Sequence, residues 1–204
     1  MKLYYAPTSP FVRKVIVTAA ELGIDGEIER IDTATTPVDP DPALAAVNPI
    51  GKLPALTTDD GETLYDSAVI CEYLAARAGN GAMLPADGAG RWATLRLQAL
   101  ADGLMDAAIL RRYEGWIRPE DKRWPDWDAA QRAKVTGALD ALEVEADVLA
   151  PVPTLGTIAV ACALGYLDFR FADEPWRANR PKLAKWYEDH WAKRPSMIAT
   201  APPT

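Results

Sequence analysis

The fold is decided by residues 48–74, NPIGKLPALTTDDGETLYDSAVICEYL. Asn48-Pro49 and Gly51 make a turn, and Leu53-Pro54 then opens an apolar run. Residues 54–58 and 63–65 are strand-like and flank Asp59-Asp60-Gly61-Glu62, a hairpin signal. Asp66 and Ser67 stand where a helix begins, and the apolar spacing carries that helix to about Arg77. Each feature has a plain structural reading. A proline opening a strand is often an edge device, and Asp or Ser before a helix ordinarily caps it. Each also has a chemical one. If the Leu53-Pro54 bond is cis, the bend exposes the main-chain N–H and C=O of Leu53, and an extended peptide can pair with them. Lys52 can meet a carboxylate. A helix start is an anion site, so Ser67 can hold an α-carboxylate while Asp66 takes a neighbouring ammonium.

Upstream, YYAPTSPFVRKV (residues 4–15) puts Thr8 and Ser9 between an apolar run and an amphipathic segment. Ser9-Pro10 suits a helix start, with a hydroxyl cap and then proline at the first helical position. Phe11, Val12, Val15, Ile16, Ala19 and Ala20 recur at helical spacing up to Gly23, and residues 27–31 alternate like a second strand. The order is βαβ, a short helical or irregular piece, then ββα. It is compatible with a mixed four-stranded sheet of thioredoxin-like type, although order alone fits other α/β folds.

Downstream the chain changes character. Residues 79–87 are a linker by composition, and helical spacing follows over about 88–117, 127–149, 154–170 and 180–193. TIAVACALGYLDF is apolar nearly all round and belongs in the middle of a bundle, with Thr154 as its N-cap. The expected organisation is an α/β domain over 1–78, a linker, and an all-α helical bundle over 88–204.

Composition narrows the function. Of 204 residues, 49% are apolar and 25% charged, as in ordinary globular proteins. A net charge of −7 argues against a general nucleic-acid binder. Two cysteines, Cys71 and Cys162, lie far apart in apolar stretches and suggest no disulfide framework, so a cytoplasmic location is expected. No secretory signal is visible, and no run approaches the ~20 apolar residues of a membrane span. A single histidine, His190, argues against zinc or a Ser-His pair, and no metal is expected.

Taken together, SPFVRK, NPIGKLPAL, DSAVICEYL and TLGTIAVACALGYLDFR resemble the glutathione S-transferase family across essentially the whole chain. The resemblance implies a thioredoxin-like domain followed by a helical domain, a homodimer, and glutathione as co-substrate with a small electrophile. By resemblance, Lys52, Leu53, cis-Pro54, Asp66 and Ser67 hold the tripeptide. Ser9 stands where serine-type members keep the hydroxyl that activates the thiol. Asp102 is the candidate counter-charge that one subunit offers to the ammonium bound by the other. Two departures stand out. The capping box of the buried helix normally carries Asp, where this chain has Thr157, so that cap is expected to be weaker by about 1 kcal/mol. Position 9 is also not the cysteine of omega-type members, which removes a nucleophile for mixed-disulfide chemistry.

The chemistry at Thr8 and Ser9 follows from the magnitudes. A free thiol has a pKa of about 8.5. A hydroxyl donating to an ionised sulfur is worth roughly 1.5–3 kcal/mol, and a helix N-terminus about 0.3–1 more. At ~1.36 kcal/mol per unit, the pKa falls by about one to two units, enough to make thiolate a major species near neutrality. Register favours Ser9 over Thr8. For the electrophile, the long helix sets Asp102, Asp106, Tyr113 and Trp116 near one face, with Phe11 the candidate from the first helix. That face equally suits solvated carboxylates with two aromatics packed on the core. Arg111 and Arg112 can favour an anionic co-substrate. The leading expectation is a glutathione transferase using Ser9. The rivals are glutathione-dependent disulfide or peroxide reduction, and a non-catalytic docking protein on the same fold.

Overall fold

The structure, a computed structural model, describes residues 1–203. Its first half holds β1 (Lys2–Tyr5), α1 (Pro10–Leu22), β2 (Glu29–Asp32), α2 (Pro42–Val47), β3 (Ala55–Thr57), β4 (Thr63–Leu64) and α3 (Ser67–Arg77). The four strands form one sheet in the order β2-β1-β3-β4. β1 runs parallel to β2 and antiparallel to β3, and β3 pairs antiparallel with β4. The right-handed β1-α1-β2 crossover expected for parallel neighbours lays α1 on the sheet. α1 is buried from Val12 to Ala19, and Val15, Ile16, Leu3, Leu56, Ile70 and Leu74 share its core. β2 begins two residues later than the alternation predicts, because Asp25–Glu27 form a 3₁₀ turn.

The second half is helical: α4 (Gly88–Trp116), α5 (Pro125–Glu145), α6 (Leu155–Arg170), α7 (Pro181–His190) and α8 (Pro195–Ala199). α5 stops at Glu145 and a 3₁₀ turn completes the expected helical stretch, while α8 is an addition to the expected elements. α6 is buried continuously from Leu155 to Leu167, which explains its all-round apolarity. Two glycines let its neighbours approach. A Cβ on Gly156 would stand 2.8 Å from the Thr94 carbonyl oxygen, and one on Gly165 would stand 2.5 Å from Arg13 Nη1. The α6 cap is complete despite lacking a carboxylate. Thr157 Oγ1 accepts from the Thr154 N–H at 2.8 Å, and Thr154 Oγ1 accepts from the Thr157 N–H at 3.1 Å. A hydroxyl thus supplies the reciprocal half of the box.

The halves are stitched together rather than strung. The segment between α3 and α4 buries Met83, whose carbonyl accepts from the Leu155 N–H at 3.0 Å. Arg13 of α1 crosses Gly165 and donates to the Met197 carbonyl at 2.8 Å. Lys14 of α1 donates to both carboxylate oxygens of Asp102 on α4, at 2.6 and 2.7 Å. The fold is a thioredoxin-like sheet domain followed by a helical domain.

Candidate functional site

Three seams of the first domain carry the candidate binding groups. At the first, Ser9 caps α1. Its Oγ accepts from the Val12 N–H at 3.3 Å, and Pro10 fills the first helical position. Capping uses a lone pair and leaves the hydroxyl proton free to donate. Ser9 and Thr8 are half-buried and line a shallow depression with Pro7, Pro10, Arg13, Tyr166 and Pro202.

The second seam is the Leu53-Pro54 bond, which is cis. β3 starts at Ala55, and the β1–β3 ladder ends with Tyr4 opposite Ala55, so Leu53 lies beyond the ladder. Asn48 shapes the approach. It is buried, its Nδ2 donates to the Lys52 carbonyl at 2.8 Å, and its Oδ1 accepts from the Ile50 N–H at 3.1 Å. Sequence reading took Asn48 as a turn residue and missed this clamp. An Asn-Pro-x-Gly turn two residues before a strand-opening proline is the signal that points to it.

The third seam is the start of α3. Asp66 is the cap, its Oδ1 accepting from the Ala68 N–H at 3.0 Å, and its carboxylate is otherwise exposed. Ser67 is 2% exposed, and its hydroxyl makes no hydrogen bond among the described residues. The Tyr65-Asp66 peptide is also cis.

Facing these seams, α4 contributes two clusters. The acidic one holds Asp102 and Asp106. Burial raises both carboxyl pKa values; Lys14 opposes the rise at Asp102, and Lys52 opposes it at Asp106. The Asp66 carboxylate pushes both upward, so Asp66 and Lys14 lie within electrostatic reach of Asp102 and Asp106, and Lys52 within reach of Asp106. The expected acidic face is therefore not open at Asp102. Its side chain is 21% exposed and is held by Lys14, which is 1% exposed. Spacing along one helix cannot reveal a lysine 88 positions away.

The other cluster lies toward the end of α4. Tyr113 is half-buried, and burial raises its phenol pKa. Trp116 is exposed, with the Arg112 guanidinium 4.9 Å from its ring centre. Phe11 is half-buried, 5.7 Å from Lys14 Nζ and so nearer the acidic cluster. Arg111 is not available to a co-substrate, because it is buried and bonded to Asp128 at 3.0 Å and to Glu174 at 2.8 Å. Tyr166 and Arg170 of α6 join this cluster and were missed in the sequence, hidden at the end of an otherwise apolar helix.

The cysteines stand apart from this chemistry. Cys71 and Cys162 are buried and free, and burial pushes their thiols up to about 11 and about 12. Among the described residues no group of His, Cys, Asp and Glu is placed to hold a metal ion, and no helix is long and apolar enough to cross a membrane.

Comparison with known proteins identifies the family. Residues 8–77 match the family model for the glutathione S-transferase N-terminal domain, and residues 98–189 match the model for the C-terminal domain. The uncharacterized GST-like protein YibF of Escherichia coli is 38% identical, over 100% of this chain and 99% of its own. A glutathione transferase family member from Pseudomonas fluorescens, solved with bound glutathione, is 46% identical with a TM-score of 0.96, covering 100% of this chain and 99% of that one. A structure from the same organism with bound S-(propanoic acid)-glutathione is 45% identical with a TM-score of 0.91, covering 99% of each chain. Family models and relatives converge with the fold: the chain belongs to the glutathione S-transferase family.

Proposed function

We propose that the protein is a glutathione transferase in which Ser9 stabilises the thiolate of bound glutathione. The observation that carries this reading is the division of labour at Ser9. Its oxygen lone pair caps Val12, while its proton remains free to donate to an anionic sulfur at the positive end of α1. The thiol proton leaves to solvent. The thiolate pair then forms the new C–S bond, as a leaving group departs with its own pair or a π bond opens and takes up a proton. Relatives solved with glutathione and with an S-substituted glutathione support both the ligand and the direction of substitution.

The tripeptide lies extended in this reading. Its backbone pairs with Leu53 beside cis-Pro54, Lys52 meets a carboxylate, and Ser67 with the first N–H groups of α3 holds the other. Asp66 takes the ammonium. Asp106, within electrostatic reach of Asp66 and Lys52, supplies the second counter-charge within the chain, while Asp102 serves through Lys14. The electrophile lies against Tyr113 and Trp116. Disulfide chemistry on the protein's own thiols finds no support, since both are buried and protonated. A homodimer is supported by two exposed apolar side chains, Val69 on α3 and Trp92 on α4. The Glu72–Arg91 ion pair holds those two helices together.

The test is isothermal titration with glutathione, then thiolate absorbance of the bound ligand against pH. A bound thiol with the pKa of the free one removes the hydroxyl from the mechanism, and absence of binding removes the reading altogether.

A further inference from the structure

Arg112 on α4 and Arg170 at the end of α6 are two half-buried arginines within electrostatic reach of each other and without a counter-ion. Among the described residues neither enters an ion pair, and the Nε–H of each is buried with no acceptor. The other buried or half-buried arginines are satisfied: Arg13 by the Met197 carbonyl, Arg91 by Glu72, Arg111 by Asp128 and Glu174, and Arg194 by Glu21. Arg177 and Arg180 likewise pair with Asp168 and Asp140. The carboxylates near Arg112 and Arg170 in the chain are already committed. Asp168 bonds Arg177 and the Trp176 indole, Glu114 bonds Arg118 and the Trp124 N–H, and Glu174 bonds Arg111 and Arg132.

Both guanidiniums are oriented by aromatic faces. Arg170 Cζ is 3.9 Å from the Phe169 ring centre, and Arg112 Cζ is 4.9 Å from that of Trp116. Burial and the like charge of Arg112 together hold the Arg170 guanidinium below the usual arginine range. Beside them stand two phenols that remain protonated, Tyr166, pushed up to about 12 chiefly by burial, and Tyr113. The Tyr166 phenol oxygen is a neutral acceptor for the Arg170 guanidinium, but the Nε–H of each arginine stays unpartnered and no anion among the described residues answers the two cations. The negative ends of α4 and α6 favour a cation by a small amount each. That accounts for Arg170 in the last turn of α6, but not for Arg112, which lies before the last turn of α4. A planar anion resolves the arrangement, since guanidinium forks match a carboxylate. Tyr166 also lines the depression that holds Thr8 and Ser9, so the cluster lies one side chain away from the candidate thiolate position.

We propose that Arg112 and Arg170, with the Tyr113 and Tyr166 hydroxyls, form an anion subsite for the second substrate, and that the electrophile this protein takes carries a carboxylate. The proposal rests on the glutathione reading above and specifies its second substrate. The test uses two S-substituted glutathiones of the same shape, S-(2-carboxyethyl)glutathione and S-(2-carbamoylethyl)glutathione, titrated at low ionic strength beside glutathione itself. The carboxylate should bind at least about tenfold more tightly than the amide, as expected for charge-assisted hydrogen bonds. Arg112→Gln with Arg170→Gln should bring that ratio close to one while leaving the affinity for glutathione unchanged. Arg170→Lys alone, which keeps the charge and loses the fork, should retain part of the preference. Equal affinities in the parent protein overturn the subsite, and that comparison needs no variant to fold. A preference that survives in the double variant overturns the assignment to these arginines. If glutathione itself fails to bind, the functional reading falls and the subsite falls with it, an outcome distinct from glutathione binding without discrimination.

Discussion

On the proposed reading, the sheet domain and the helical domain meet their ligands with different chemistry. The sheet domain offers main chain and small hydroxyls: Leu53 beyond its ladder, Ser67 at one helix start, Ser9 at another. The helical domain offers large side chains from α4 and α6: Asp106, Arg112, Tyr113, Trp116, Tyr166 and Arg170. Groups of the first kind are fixed by backbone geometry and suit a ligand shared by every reaction. Groups of the second kind change by single substitutions without disturbing the fold, and so suit the variable partner. The difference teaches where specificity can move and where it cannot.

That division is open to attack at its seam. Asp102→Asn leaves Lys14 buried without its counter-ion, and removing one partner of such a pair costs about 3 kcal/mol. Chemical denaturation should register a loss of that size. A loss under about 0.5 kcal/mol, as expected for an exposed pair, would place Asp102 among the ligand-facing groups instead. Ser9→Ala comes next. It should raise the pKa of bound glutathione by about one to two units, seen as thiolate absorbance moving to higher pH, with little change in affinity. Loss of the cap should also lower stability by about 1 kcal/mol, which a melting curve separates from the titration. If Thr8→Ala moves the absorbance and Ser9→Ala does not, Thr8 is the activating group.

Ser67→Ala should weaken glutathione binding by about 1–3 kcal/mol, as should Lys52→Ala. Unchanged titration curves in both variants would erase the distinction between the two halves. The smallest effect is on acid stability. Arg194 and Ser196 hold the Glu21 carboxyl below its ordinary value of 4.5. A depressed folded-state pKa contributes stability that is present above the unfolded value and is lost as pH falls through the folded one. The melting temperature should therefore drop below about pH 4.5 more steeply in the parent than in Glu21→Gln. Asp102, whose pKa is raised, acts with the opposite sign, and comparing the two proteins cancels its contribution.

The sheet domain was largely legible because its signals are local. α3 spans Ser67–Arg77 as its cap and spacing predict, and the Leu53-Pro54 bond is cis as the family resemblance implies. β2 shifted because a 3₁₀ turn absorbs Glu27, which alternation alone counts as strand. α8 escaped because five residues carry less than two turns of periodicity. The helical domain hid more. Spacing put Asp102 on a face but could not supply Lys14 from another helix. Arg111 and Arg112 are adjacent in sequence yet opposite in fate, one locked by Asp128 and Glu174, the other left without an acceptor. Only packing tells them apart.

Arg13 has a consequence for how the chain is made. Its guanidinium passes over Gly165 to reach the Met197 carbonyl and the Thr200 hydroxyl, so α1 is enclosed by segments more than 140 positions downstream. On a ribosome adding roughly 5–20 residues per second, those segments arrive some ~10 seconds or more after α1. During that interval the sheet domain has its strands but lacks the cover for one side of its first helix. The nascent first half is thus an unfinished object, and its apolar flank is the surface a chaperone would be expected to hold until α6 and α8 emerge.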